Sequence, residues 1–194
     1  EYDATKQCVN MNPTVFGNLR DGLAILGQEV LHRWSTRLDV AGKGCTILRD
    51  NAHYHAFFNS DASVVGGNLG FRIQDNGGNN FARTAVEAIF SQYDRYLMGF
   101  RTPDQVTYPM FCVQNPVLNA DNVNFTGTRR NISMNDITTA NGSRIPVAGL
   151  SQHTFNMAFA LEFMKVIGNS ALRETSERLY LMTSRFTLES IARM

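Results

Sequence analysis

Between Thr14 and Leu38 apolar residues return every three or four positions: Leu19, Leu23, Leu26, Val30, Trp34 and Leu38. That spacing places one apolar stripe along a helix and obliges the helix to pack against the rest of the chain. Pro13 suits its first turn. Gly22 and Gly27 each weaken it by roughly 1 kcal/mol relative to Ala, and each lets another backbone come close. The "VAGKG" stretch at 40–44 ends it in a loop.

The same helix carries Gln28-Glu29-Val30-Leu31-His32. Side chains four apart on a helix project from one face, about one turn apart. Zinc hydrolysis uses this geometry with His in the first and fifth places: two imidazoles hold the metal and the intervening Glu takes a proton from metal-bound water. Here Glu29 and His32 keep their places, but Gln28 replaces the first ligand. A neutral amide oxygen is a poorer zinc donor than imidazole, so the expectation is loss of most metal affinity unless other ligands converge. Candidates are His53 and His55, on one side of the alternating "AHYHAFF" stretch (52–58), and Asp94. Apart from metal chemistry, Glu29 and His32 read as an ordinary surface pair, each strand His as a hydrogen-bonded core or edge residue, and Asp94 as a partner of nearby backbone.

Further along, "CTILRD" (45–50) reads as a strand, and residues 59–80 as Gly- and Asn-rich loops around one or two short strands. The spacing of Val86, Ile89, Phe90, Tyr93 and Leu97 predicts a second helix over about 82–100, closed by Gly99 and Pro103. On it Glu87 and Asp94 share a face, and Arg83 and Glu87 form an i,i+4 pair. "VTYPMFCVQNP" (106–116) reads as a strand interrupted at Pro109, near a sheet edge. Residues 117–130 carry no regular pattern. Ser133 and Asp136 predict a capped short helix ending at Gly142. "TFNMAFALEF" (154–163) alternates as a half-buried strand. Leu172, Leu179, Met182 and Phe186 predict a C-terminal helix over about 170–193. Together these give an α+β fold: an N-terminal arm (1–12), then a single domain (13–194) with a small mixed or antiparallel sheet and no separating linker.

Composition narrows the function classes. Of 194 residues 43% are apolar and 18% charged, which is globular. A net charge of +1 gives no electrostatic case for nucleic acid or an anionic membrane, and Arg129-Arg130 is too short a basic run to change that. No apolar run reaches the roughly 18–20 residues that span a bilayer. Cys8, Cys45 and Cys112 allow one internal disulfide in three ways with one thiol left over, or three buried thiols. Asn124, Asn131 and Asn141 head N-x-S/T tripeptides and permit glycosylation.

Four stretches in order resemble large exported bacterial zinc metallopeptidases of the zincin type: "LGQEVLHRW" (26–34), "AHYHAFFNSDASVVGGN" (52–68), "FSQYDRYLMGF" (90–100) and "ISMNDITTANGSRIPVAGLSQHTFNMAF" (132–159). The resembling family has a His-Glu-x-x-His-Arg-Trp helix, an Ala-His-Trp strand, a Tyr-Leu-Met-Gly helix end and an Ala-Asn-Gly element. The resemblance spans roughly residues 19–190. It implies a zincin-like domain with His32 as a ligand, Glu29 as general base, His53 as the strand histidine and Asp94 as a third ligand. Tyr96 and Met98 would support the site floor. His55 has no counterpart, and Gln28 departs from the pattern.

The first expectation is therefore an extracellular or cell-surface domain without peptidase activity, with no cofactor, whose partner is a protein, the extracellular matrix or a second copy of itself. The alternative is an active zinc peptidase with Glu29 as base and His32, His53 or His55, and Asp94 as ligands. A third is a plain α+β binding module in which the motif is accidental.

Overall fold

The computed structural model describes residues 17–34, 39–40, 42–49, 53–66, 71–152, 154–161 and 180–187. The predicted arm and Cys8 lie outside them. Among the described residues three α-helices and seven strands follow one another: α1 (Leu19–Leu31), β1 (Phe58–Asn59), β2 (Phe71–Asp75), β3 (Asn80–Ala85), α2 (Gln92–Met98), β4 (Met110–Leu118), β5 (Asn124–Ile132), α3 (Met134–Asn141), β6 (Thr154–Leu161) and β7 (Tyr180–Thr187). The fold is α+β. The chain divides between Ser151 and Gln152 into two compact units. None of the helices among the described residues is long and apolar enough to cross a membrane.

In the first unit five strands form one antiparallel sheet in the order β1-β4-β5-β3-β2. Its buried face is nearly all aromatic and aliphatic: Ile73, Phe81, Phe111, Val113 and Phe125, with Phe57 packed against them. The rings interlock, with centroids 5.4 Å apart for Phe81–Phe125 and 5.2 Å for Phe57–Phe125. The Arg83 guanidinium lies 5.1 Å from the Phe57 ring centre, so a cation covers the end of this stack. The two ends of the sheet meet at Asn59. Its Oδ1 accepts from the Ile73 N–H (3.2 Å), and its Nδ2 donates to the Pro109 carbonyl (3.3 Å). One side chain on β1 thereby satisfies a backbone donor of β2, which would otherwise be buried unpaired.

Pro116 is accommodated inside β4 because the register shifts between Gln114 and Val117, and Asn115 adopts a positive φ there. Opposite this bulge stands Gly127, where a Cβ would overlap Val113 and the backbone of Gln114. Cys45 and Cys112 form a disulfide that joins the loop before β1 to β4. The capping box on α3 forms as the sequence predicts: Ser133 Oγ accepts from Asp136 N, Asp136 Oδ2 accepts from Ser133 N, and Gly142 closes the helix.

Several predicted elements are corrected. The helix over 14–38 is described only as Leu19–Leu31, followed by a turn at His32–Trp34. The helix over 82–100 is two elements, because Phe81 and Thr84 pair into β3 while Ser91 caps a separate α2. Arg83 and Glu87 therefore share no helix, and Glu87 instead meets Arg20 (3.2 Å). Half of residues 117–130 belong to β5, and the less exposed positions there are Phe125, Gly127 and Arg129. One apolar residue in three hides the alternation on which strand recognition depends. The 45–50 strand reduces to a single bridge, Leu48 to Tyr54. In the second unit β7 replaces the C-terminal helix at 180–187, pairing antiparallel with β6 from Thr154↔Thr187 to Leu161↔Tyr180; the remainder of that predicted helix lies outside the described residues.

The disulfide closes a separation of 67 residues, for which loop entropy gives a stabilisation of about 4 kcal/mol. Cys112→Ser is expected to lower the thermal midpoint strongly, and reductant to lower the wild type to a similar value. Coincident melting curves for wild type with and without reductant would contradict this.

Candidate functional site

Helix α1 starts at Asn18, whose side chain accepts from Arg20 N (3.1 Å), and it is seated by Leu31, which is fully buried. Gly27 serves the same packing. A Cβ there would sit 3.3 Å from Phe90 Cζ and 3.8 Å from Val64 Cγ1, so the missing side chain makes room for an aromatic ring rather than for backbone. Gln28 and His32 follow on the adjoining face. His32 is the C-cap, and its N–H donates to the Gln28 carbonyl (3.1 Å).

His53 is delivered from outside the helix. Its carbonyl accepts from Arg49 N (2.8 Å), and the flanking amides are fixed by Tyr54 N donating to Val65 O (2.8 Å) and His55 N donating to Ile47 O (2.7 Å). Held this way, His53 Nε2 lies 2.8 Å from Gln28 Nε2, and its ring meets His32 edge to face, centroids 4.7 Å apart at 85°. The structure thus brings together Gln28, His32 and His53. The Gln28 amide, which carries both a donor and an acceptor, and the His53 ring nitrogen are thus in hydrogen-bond contact. The His53 nitrogen nearest α1 is already engaged by Gln28. Among the described residues no group of three or more His, Cys, Asp or Glu side chains is placed to hold a metal ion. Two imidazoles and a glutamine amide fall short of the three strong protein ligands of a catalytic zinc site.

Neighbouring positions send their side chains to different places. Tyr54, fully buried, donates its hydroxyl to Asp94 Oδ1 (2.8 Å). The other Asp94 oxygen accepts from Ser91 N (2.7 Å), completing the α2 capping box. Burial pushes the Asp94 carboxyl up to about 6, partly opposed by hydrogen bonds from Ser63, Ser91 and Tyr54. Burial, then the adjacent Asp94 charge, holds the Tyr54 phenol well above its ordinary value. Tyr54, Tyr93 and Tyr96 stack in sequence, 5.9 Å and 6.4 Å between centroids. Asp94 therefore caps a helix and fixes a tyrosine, and the ligand set of His32, His53 or His55, and Asp94 does not assemble among the described residues.

His55 is separate from His53: its Nδ1 accepts from Phe57 N (3.3 Å), and it lines a cleft of about 540 Å³ beside the disulfide. Burial, then Arg49, lowers its pKa. Glu29 is half-buried, one residue on from Gln28. Tyr96 and Met98 are buried in α2. Asn124 and Asn131 are exposed on β5. Asn141 is tied down, its amide accepting from Asp39 N (2.9 Å) and donating to Asp39 O (2.8 Å). Sequence reasoning missed Tyr54 as the partner of Asp94. The available signal was alternation: if position 53 faces α1, position 54 faces the opposite way.

Comparison with protein-family models, with curated proteins and with solved structures finds no match to this chain.

A carboxyl raised by folding binds its proton more tightly in the folded state, so this group's contribution to stability falls as pH rises from about 4, its unfolded value, to about 6. Asp94→Asn removes that fall. Denaturant unfolding at pH 4, 5, 6 and 7 should show the wild type losing more stability across this window than the variant; parallel profiles would refute the assignment. Tyr54→Phe, which takes away one hydrogen bond to a buried carboxylate, should cost about 1–3 kcal/mol at pH 7.

Proposed function

We propose that this chain is a zincin-like domain without peptidase activity, which acts by binding a protein or matrix partner, or a second copy of itself, outside the cell. The observation that carries the reading is the contact of Gln28 with His53 beside His32. Positions 28, 32 and 53 are those that the resemblance assigns to the first helix ligand, the second and the strand histidine. An amide–imidazole hydrogen bond at that point substitutes for shared coordination of a metal. The Cys45–Cys112 disulfide is compatible with an oxidising, extracellular setting. The exposed Asn124 and Asn131 tripeptides are compatible with the same setting. Glu29 is then a vestige of a general base.

The test is elemental analysis of protein purified without chelator, together with a peptide-cleavage assay. The expected result is no stoichiometric zinc and no cleavage. One equivalent of zinc, with chelator-sensitive cleavage lost in Glu29→Gln, would replace this reading with that of an active peptidase. The converse experiment is Gln28→His, which puts a third imidazole beside His32 and His53. That variant is expected to take up one zinc ion where the wild type takes none. Failure of both proteins to bind zinc would overturn the zincin-like geometry and leave an ordinary α+β binding module.

A further inference from the structure

Gln114 on β4 spends its whole amide on joining two parts of the chain. Its Nε2 donates to the carbonyls of Lys43 (3.0 Å) and Gly44 (2.6 Å), and its Oε1 accepts from Arg130 Nε (2.7 Å). Gly44 has a φ of +65°, and a Cβ there would collide with that amide nitrogen, so a side chain at this point is strained and displaces the Gln114 amide. The result is a cleft of about 590 Å³ between the 42–44 loop and β5, lined by Lys43, Arg129 and Arg130 with Gly44, Gln114 and Asn131.

The charges in the cleft do not cancel. Lys43 meets Asp136 (3.2 Å), and Arg129 meets Asp75 (2.6 Å) while lying 4.3 Å from the Phe111 ring centre. Hydrogen bonds hold both carboxyls below their ordinary pKa, chiefly from Arg129 to Asp75 and from Ser133 to Asp136, so both stay ionised. Arg130 has no carboxylate partner among the described residues. Its Nε is pinned by Gln114, which fixes the plane of the guanidinium and leaves the terminal nitrogens to act as a fork.

We propose that this cleft binds a sulfate or phosphate group carried by a small molecule, with Arg130 and Lys43 as the contacting cations. The volume exceeds what a bare anion fills, so the cleft leaves room for the rest of a small molecule that carries the oxyanion. Cations approaching from two walls match a tetrahedral, doubly charged group. A carboxylate would be satisfied by the Arg130 fork alone. This site is independent of the Gln28–His32–His53 cluster.

The experiment is calorimetric titration of the full chain with inorganic sulfate, inorganic phosphate and acetate at low ionic strength, where surface screening is weak. One saturable site for sulfate or phosphate, tighter than for acetate, is expected. Arg130→Gln should weaken it by about tenfold or more, and Lys43→Gln should weaken it also. Gly44→Ala, which displaces the Gln114 amide, should weaken it with the fold intact by circular dichroism. Arg101→Gln, in the loop after α2, should leave it unchanged. Absence of saturable binding, equal affinity for acetate, or an Arg130→Gln variant that binds like the wild type would overturn the proposal.

Discussion

Tyr54 donates its hydroxyl to a carboxylate that is itself the cap of α2. Through that one interaction the segment before β1, the start of α2 and the tyrosine stack are held in a single arrangement. A buried carboxylate is costly unless it is well supplied with donors. Asp94 receives hydrogen bonds from Ser91, Tyr54 and Ser63, and it is still shifted toward protonation. The site on the other side of the segment depends on the same anchor. Once Tyr54 is fixed inward, extended backbone directs His53 the opposite way, toward Gln28 and His32. The carboxylate that the resemblance assigns to the metal thus acts at one remove, by fixing the backbone that presents the histidine.

The parts of the fold that were legible in the sequence are those whose signal is local. Ser133, Asp136 and Gly142 specify α3 within ten residues, because a cap is satisfied by side chains three positions away. Gly99 ends α2 for the same reason. Elements that depend on distant pairing were misread. Phe81 to Ala85 has a helical spacing of apolar residues on its C-terminal side, yet its backbone is completed by β2 and β5. In β5, Gly127 is inward because the bulge around Pro116 leaves no room for a side chain, and Arg129 is inward because Phe111 offers an aromatic face. Both choices are sensible in the folded sheet and invisible without it.

Legibility of the candidate site divides along the same line. The i,i+4 relation of Gln28 and His32 is a property of any helix, so it could be read directly. The arrival of His53 depends on backbone hydrogen bonds of residues 53–55 with Arg49, Val65 and Ile47, none of which carries a sequence signature. The pairing of His53 with His55 as a chelating couple fails for a related reason. Regular alternation over 53–57 would put both on one side, but the segment is held by loop hydrogen bonds and is a strand only at Phe58–Asn59. His55 is drawn instead to Phe57 N and the cleft beside the disulfide.

What remains is why a glutamine is tolerated where the motif has a histidine. An imidazole inside a cleft needs something for its lone pair, since an unsatisfied buried acceptor costs about 1–3 kcal/mol. In a metal site the ion fills that role. Remove the metal-binding partner by substitution with Ala or Leu, and His53 would face an apolar wall. Glutamine has nearly the reach of histidine, keeps good helix propensity, and turns its amide toward the ring. The hydrogen bond of 2.8 Å preserves the approach of α1 to the His53 segment, and with it the edge-to-face contact of His32. On the proposed zincin-like reading the glutamine keeps the architecture and changes the chemistry: the same three positions converge, but a hydrogen bond joins two of them.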